Sequence, residues 1–272
     1  MNRWATLARA VMRHGPCALV EVLSTQGSVP RGTDAWMIVT PEGFHGSIGG
    51  GMLEWKAMAE AQTMLATGEG KREVDYVLGP DLGQCCGGRV QVKIEIYNRE
   101  AVPAIEAKTE SQDAARRNIY LFGAGHVGRA LVFALAPLPF LMTWIDTREN
   151  AFPAVVPQDT HTWRLDDPMA PFHQISSGSL VFVMTHSHEL DFAIVDAALR
   201  NSKVAHVGLI GSATKRARFE KRLRESGVDP RRIAELICPI GVSGITSKHP
   251  AAIAAAVAAQ ALQLHSALPV TA

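Results

Sequence analysis

Ile119-Tyr120-Leu121-Phe122-Gly123-Ala124-Gly125-His126-Val127-Gly128 sets a short apolar run against a turn with spaced glycines, and helix-forming residues follow through Leu135. A dinucleotide-binding strand-to-helix turn has this order. The first glycine makes the tight turn, the second lets the backbone approach a pyrophosphate, and the third packs helix on strand. Asp146 closes the next apolar run, where a carboxylate binds ribose hydroxyls and favours NAD over NADP, although Arg148 blurs that preference. Gly123, Gly125, Gly128 and Asp146 are therefore candidate cofactor-binding residues for NAD or another nucleotide.

The rhythm of the turn continues downstream. Strands are expected at Ile119–Phe122, Phe140–Ile145, Leu180–Met184 and His206–Ile210, and helices at Val127–Leu135, Phe192–Leu199 and Lys215–Glu225. That alternation implies a parallel, doubly wound sheet. Upstream, helices and strands do not alternate. A helix ends at Gly15-Pro16, a strand runs over Cys17–Leu23, and Pro41-Glu42-Gly43 turns a hairpin between Ala35–Thr40 and Phe44–Ile48. A second helix, Met52–Ala66, precedes strands at Glu73–Leu78 and Arg89–Tyr97. The expected fold class is α/β: a small N-terminal α+β domain (1–98), then a Rossmann-like doubly wound parallel-sheet domain (118–272). The polar stretch 99–117 reads as a linker.

Composition excludes several classes. A net charge of +1 and a hydrophobic fraction of 47% suit a globular protein and argue against nucleic acid as a partner. Arg3, Arg9, Arg13 and His14 break up any signal-peptide core, so a cytoplasmic location with reduced thiols is expected. Ala251–Leu264 is apolar but interrupted by Gln260 and Gln263, and shorter than the roughly 20 residues of a membrane span. It reads as a buried or interface helix, with Pro250 in its first turn and Ser247 helping to cap it. Cys17, Cys85, Cys86 and Cys238 contain no CxxC pair and make a poor disulfide framework.

Leu82-Gly83-Gln84-Cys85-Cys86-Gly87-Gly88 is chemically the most informative stretch of the chain, the alternative being a tight turn between two strands that carries two small apolar residues. Thiolates are soft ligands and good nucleophiles, and glycines clear side chains from around these two. Gly46-Ser47-Ile48-Gly49-Gly50-Gly51-Met52-Leu53-Glu54 runs from a strand through three consecutive glycines into a helix. Its backbone N–H groups are expected to be free to cradle an anionic ligand, with Arg31 of Gly27-Ser28-Val29-Pro30-Arg31 able to pair with a phosphate. Thr185-His186-Ser187-His188-Glu189-Leu190-Asp191 lies at a strand end, where His186, His188 and Asp191 could bind a metal, shuttle protons or hold a phosphate, and polar residues could equally cap a helix. Lys215 to Arg232 holds eight basic and three acidic residues, a solvated face or a dock for an acidic protein.

Together these motifs resemble one family, the XdhC/CoxI accessory proteins of molybdenum hydroxylases. The resemblance rests on GSVPR, GSIGGGMLE and LGPDLGQCCGG, then on FGAGHVGRAL, THSHELD, GLIGS and CPIGVSGITSKHPAAIA, and it covers nearly the whole chain. It implies a chaperone that binds the molybdenum cofactor (molybdopterin) during sulfuration and helps insert it into xanthine dehydrogenase. Implied partners are that enzyme's large subunit, a cysteine desulfurase, the cofactor-synthesis proteins and a second copy in a homodimer. The family's cysteine before two glycines falls on Cys86, the implied metal contact, with Cys85 beside it. The glycine turn falls on Gly49, Gly50 and Gly51 with Glu54 after it, and the proline–arginine pair on Pro30 and Arg31. Asp34 departs from the pattern, which has glycine there. The alternative is an NAD-dependent oxidoreductase built on Gly123–Gly128, with His186 or His188 as acid or base.

Overall fold

The computed structural model describes residues 2–78, 87–114, 116–157 and 159–267. It divides into two compact units, Asn2–Asp113 and Ala114 to the C-terminus.

The first unit is an antiparallel five-stranded sheet between helices. Its strands are β1 (Cys17–Gln26), β2 (Trp36–Thr40), β3 (Gly43–Ser47), β4 (Lys71–Val77) and β5 (Arg89–Tyr97), in the order β3-β2-β1-β5-β4. The central strand β1 is buried from Cys17 through Val22, and its side chains alternate between two cores. Ala18, Val20 and Val22 pack with α2 (Gly51–Thr67) through Leu53, Ala57, Ala61 and Met64. Cys17 and Leu19 pack with α1 (Arg3–His14) through Trp4, Leu7 and Val11. A register shift between Val22 and Ser24 bends the end of β1 toward the following loop.

The expected linker is largely helical. Asn98 caps a 3-10 turn at Arg99–Ala101, and α3 follows at Val102–Ala114. Ile105 is buried beside α1, Lys108 Nζ lies 4.2 Å from the Trp4 ring, and Asn2 Nδ2 donates to Asp113 at 2.8 Å. Single apolar anchors in a polar stretch hold α3 to the first unit, a pattern too sparse to read as amphipathic.

The second unit is parallel throughout. Strands β6 (Arg117–Phe122), β7 (Phe140–Asp146), β8 (Thr160–Arg164), β9 (Ser179–Val183) and β10 (Val204–Leu209) lie in the order β10-β9-β6-β7-β8. Read from the first strand outward this is the doubly wound order, with its switch point between β6 and β9. Helices α4 (His126–Leu135) and α8 (Pro250–Ala267) cover one face through Leu131, Val132, Ala254, Val257 and Ala261. Helices α5 (His188–Arg200), α6 (Ala213–Glu225) and α7 (Pro230–Ala234) cover the other. Half-buried β8, an edge strand reading THTWR, is an addition to the expected set. At the start of α8, Ser247 accepts from His249 N–H, and His249 Nδ1 accepts from Ala251 N–H. No helix among the described residues is long and apolar enough to cross a membrane.

Candidate functional sites

Three loops of the first unit interlock at one edge of its sheet. Ser28 bridges Gly87 next to the cysteine pair, and Leu78 N–H donates to Gly88 O at 2.7 Å. A Cβ on Gly88 would run into the Ser28 carbonyl, and one on Gly49 would run into Pro30. Arg31 Nη1 donates to Ser47 O at 3.3 Å. Gly27–Arg31, Ser47–Glu54 and Gly87–Gly88 are therefore one assembly, although they are distant in sequence. Cys85 and Cys86 lie outside the described residues, but Gly87, the next residue, belongs to this edge.

The glycine turn differs from its expectation in one respect. Its N–H groups are already engaged: Glu54 Oε1 accepts from Ile48 N–H at 3.0 Å, Gly49 N–H at 3.3 Å and Gly50 N–H at 2.9 Å, and from Ser47 Oγ at 2.5 Å. Burial alone would raise the Glu54 pKa, but these hydrogen bonds outweigh it and hold the carboxyl below its ordinary value. The nest holds an anion of the chain's own, on a half-buried side chain. Arg31 is exposed, its guanidinium keeps further donors, and space is open where Cβ atoms would stand on Gly50 and Gly87. An oxygen-rich anionic group fits this donor set.

In the second unit, Gly123 and Gly128 are explained by packing. A Cβ on Gly123 would strike the Met184 carbonyl where β6 passes β9, and one on Gly128 would strike the Gly123 carbonyl. At Gly125 a Cβ would meet nothing within 4 Å, which leaves that backbone approachable. Asp146 differs from its expected role. Its Oδ2 accepts from Ala124 N–H at 2.7 Å and Arg148 Nη2 at 2.9 Å, and its Oδ1 accepts from Arg148 N–H and Nε. Burial opposes ionisation here, but the Arg148 and Ala124 hydrogen bonds and the Arg148 charge hold the carboxyl below its usual range. A ribose would have to displace Arg148 to reach it.

His186 and His188 are exposed beside a recess of about 470 Å³ between the carboxyl ends of β9 and β10. Its floor is Asp191, only 1% exposed, which accepts from Thr185 N–H at 2.9 Å, Thr185 Oγ1 at 2.7 Å and Lys215 Nζ at 2.6 Å. With those bonds made, Asp191 does not join the histidines in a metal-binding group, and among the described residues no such group of three or more is present.

Residues 119–261, more than half of the chain, match the family described as the XdhC Rossmann domain, and residues 10–76 match the XdhC and CoxI family. The chain belongs to the XdhC family. YqeB, an uncharacterized protein of Escherichia coli (strain K12), is 29% identical over 278 aligned positions, which include 99% of this chain and 47% of YqeB. The XdhC-family chain thus spans about half the length of that curated relative. A crystal structure described as a xanthine dehydrogenase from Bacillus halodurans superposes with a TM-score of 0.82 at 20% identity, over 100% of this chain and 98% of the other. That likeness shows the shared two-part fold.

Some of this XdhC-family geometry has no local sequence signal. Thr185 and Asp191 meet within one strand-to-helix turn, but Lys215 is distant in sequence, and the pairing of β9 with β10 brings it to them. The basic run 215–232 is largely neutralised by acids within and beside it: Arg216 and Arg224 pair with Glu220, Arg222 with Glu189, and Arg232 with Glu235. An acidic docking partner would have to compete with all of these.

Proposed function

We propose that this chain is a molybdenum-cofactor chaperone, which holds molybdopterin-bound molybdenum during sulfuration and promotes its insertion into xanthine dehydrogenase. The supporting observation is the interlocked edge of the first unit, where an arginine, a glycine nest and the Gly87–Gly88 end of the cysteine loop meet. Molybdenum accepts sulfur ligands, so the Cys86 thiolate, with Cys85 adjacent, suits its exchangeable position. Arg31 would pair with the pterin phosphate, and the nest of Gly49, Gly50 and Gly51 would offer it N–H donors in exchange for the Glu54 carboxylate. The description of the Bacillus structure names a xanthine dehydrogenase, and the proposed acceptor is that enzyme's large subunit. A cysteine desulfurase and the cofactor-synthesis proteins complete the partners of a cytoplasmic homodimer. The NAD-dependent oxidoreductase reading is weaker, because both Asp146 oxygens are taken.

The test is molybdenum and fluorescent-pterin content of the full chain purified from cofactor-producing cells. We expect near-stoichiometric cofactor in the wild type, a loss of about tenfold or more in Cys86→Ala, and a smaller loss in Cys85→Ala. Wild-type protein free of both molybdenum and pterin would overturn the proposal.

A further inference from the structure

The two recesses at the carboxyl edge of the parallel sheet are very unequal. They meet at Thr185 and His186. The first lies beside Gly123, Asp146, Thr147 and Ile194, on the side where the first nucleotide of a dinucleotide sits, and holds only about 10 Å³. The second, between β9 and β10, holds about 470 Å³, within the roughly 300–1,000 Å³ typical of small-ligand clefts.

Charge in the larger recess is also uneven. Lys215 is matched by Asp191, and Arg222 is matched by Glu189 through two bonds of 2.9 and 2.8 Å. Arg218, exposed on the recess wall, makes no ion pair within 4 Å among the described residues, although its charge is felt at Glu189. Lys215 Nζ spends two of an ammonium's three donors on Asp191 and the Ile210 carbonyl, lies 5.4 Å from the Phe219 ring centroid, and has no third hydrogen-bond acceptor among the described residues. Two 13-residue helices, α5 and α6, begin at the rim. Ser187 caps only Leu190 N–H and Ser212 only Lys215 N–H, so the first N–H groups of both helices lack intrahelical acceptors. Half-buried Ile210 supplies an apolar wall for a flat ring, while Phe219 lies buried behind it under Lys215.

We propose that this recess binds a phosphate-bearing mononucleotide, its phosphate held by Arg218, Lys215 and the helix starts, and its base against Ile210. The fold thus uses the second half of its crevice alone, while Asp146 and Arg148 close the first. The site lies wholly in the second unit and does not depend on cofactor binding by the first.

Calorimetric titration of the full chain with AMP, GMP, CMP, UMP, ribose 5-phosphate, inorganic phosphate and NAD tests it. At least one mononucleotide is expected to bind about tenfold more tightly than ribose 5-phosphate or inorganic phosphate. Arg218→Ala is expected to weaken that mononucleotide about tenfold, as the loss of a charge-assisted contact implies. Thr214→Glu also weakens it by repelling the phosphate, while its carboxylate suits the first turn of α6 and leaves the fold intact. The inference is overturned if no mononucleotide binds by about 5 mM, a free energy of only about 3 kcal/mol. It is equally overturned if inorganic phosphate binds as well as any of them, if neither variant weakens binding, or if NAD binds about tenfold more tightly than every mononucleotide.

Discussion

The turn from β3 into α2 and the turn from β6 into α4 look alike on paper, yet the chain treats them differently. Each is a glycine-rich passage from strand to helix, and each already has a carboxylate from the protein on its N–H groups. In the first, Glu54 comes from the helix being started, is half-buried, and has only N–H and hydroxyl donors as partners. In the second, Asp146 comes from the neighbouring strand, is 5% exposed, and is clamped by Arg148 through both of its oxygens. A half-buried carboxylate held by dipoles can be exchanged for an external anion. A buried one locked to its own cation resists that, because an uncompensated charge would be left behind.

The largest effects should expose the packing that separates the two turns. Gly123→Ala and Gly128→Ala drive a Cβ into backbone carbonyls, and each should destabilise the chain by about 3 kcal/mol or more in urea unfolding. Gly50→Ala meets open space and carries only the cost of its backbone, φ 80° and ψ 179°, a region essentially reserved to glycine, about 1–3 kcal/mol. Equal losses at Gly50 and Gly123 would erase the distinction.

Next come the carboxylates themselves. Asp146→Asn should cost about 2 kcal/mol, less than a fully buried pair would, since Arg148 can turn to solvent. Glu54→Ala should cost about 1–2 kcal/mol by orphaning the Ile48 and Gly50 N–H groups, while Gly49 N–H keeps Ser47 Oγ as an acceptor, and added phosphate should restore part of it by refilling the nest. Phosphate should do nothing for Asp146→Asn. If phosphate raises the melting temperature of both variants equally, the nest is not the exchangeable one.

Acid should act on both turns in the same direction. Both carboxyls have folded-state pKa values below their unfolded ones. Their stabilisation is therefore complete above about pH 4–5 and is lost as pH falls through the lower folded values. Urea midpoints followed downward from about pH 5 should fall in the wild type and fall less steeply in Glu54→Ala and Asp146→Asn.

The smallest effect belongs to the thiols. Burial pushes the Cys17 thiol up to about 11, and burial also raises that of Cys238 against the pull of Lys215 and Arg216. A thiol reagent at neutral pH should leave both unlabelled in the native protein.

Much of the second unit was legible because its signals are local. The run from Ile119 into Gly128 and the repeated apolar strands specify strand, turn and helix over short stretches, and the strand ends placed His186 and His188 at the crevice. Strand β8 was missed because an edge strand needs no apolar face, and α3 because a few anchors such as Ile105 hold it rather than a full stripe. In the first unit the motifs around Arg31, Gly49 and Gly87 were visible singly, but nothing local announces that Gly49 packs on Pro30 or that Gly88 packs on Ser28.

The sequence by itself determined where the chain turns and which backbone stretches can approach a ligand, because glycine placement and hydrophobic period act over a few residues. The tertiary structure alone decided which of those sites remain open. Occupancy depends on charges that meet across the fold: Glu54 in its nest, Asp146 under Arg148, Asp191 under Lys215 and Arg218 left over. Their attraction falls off within a few ångströms and does not depend on separation along the chain.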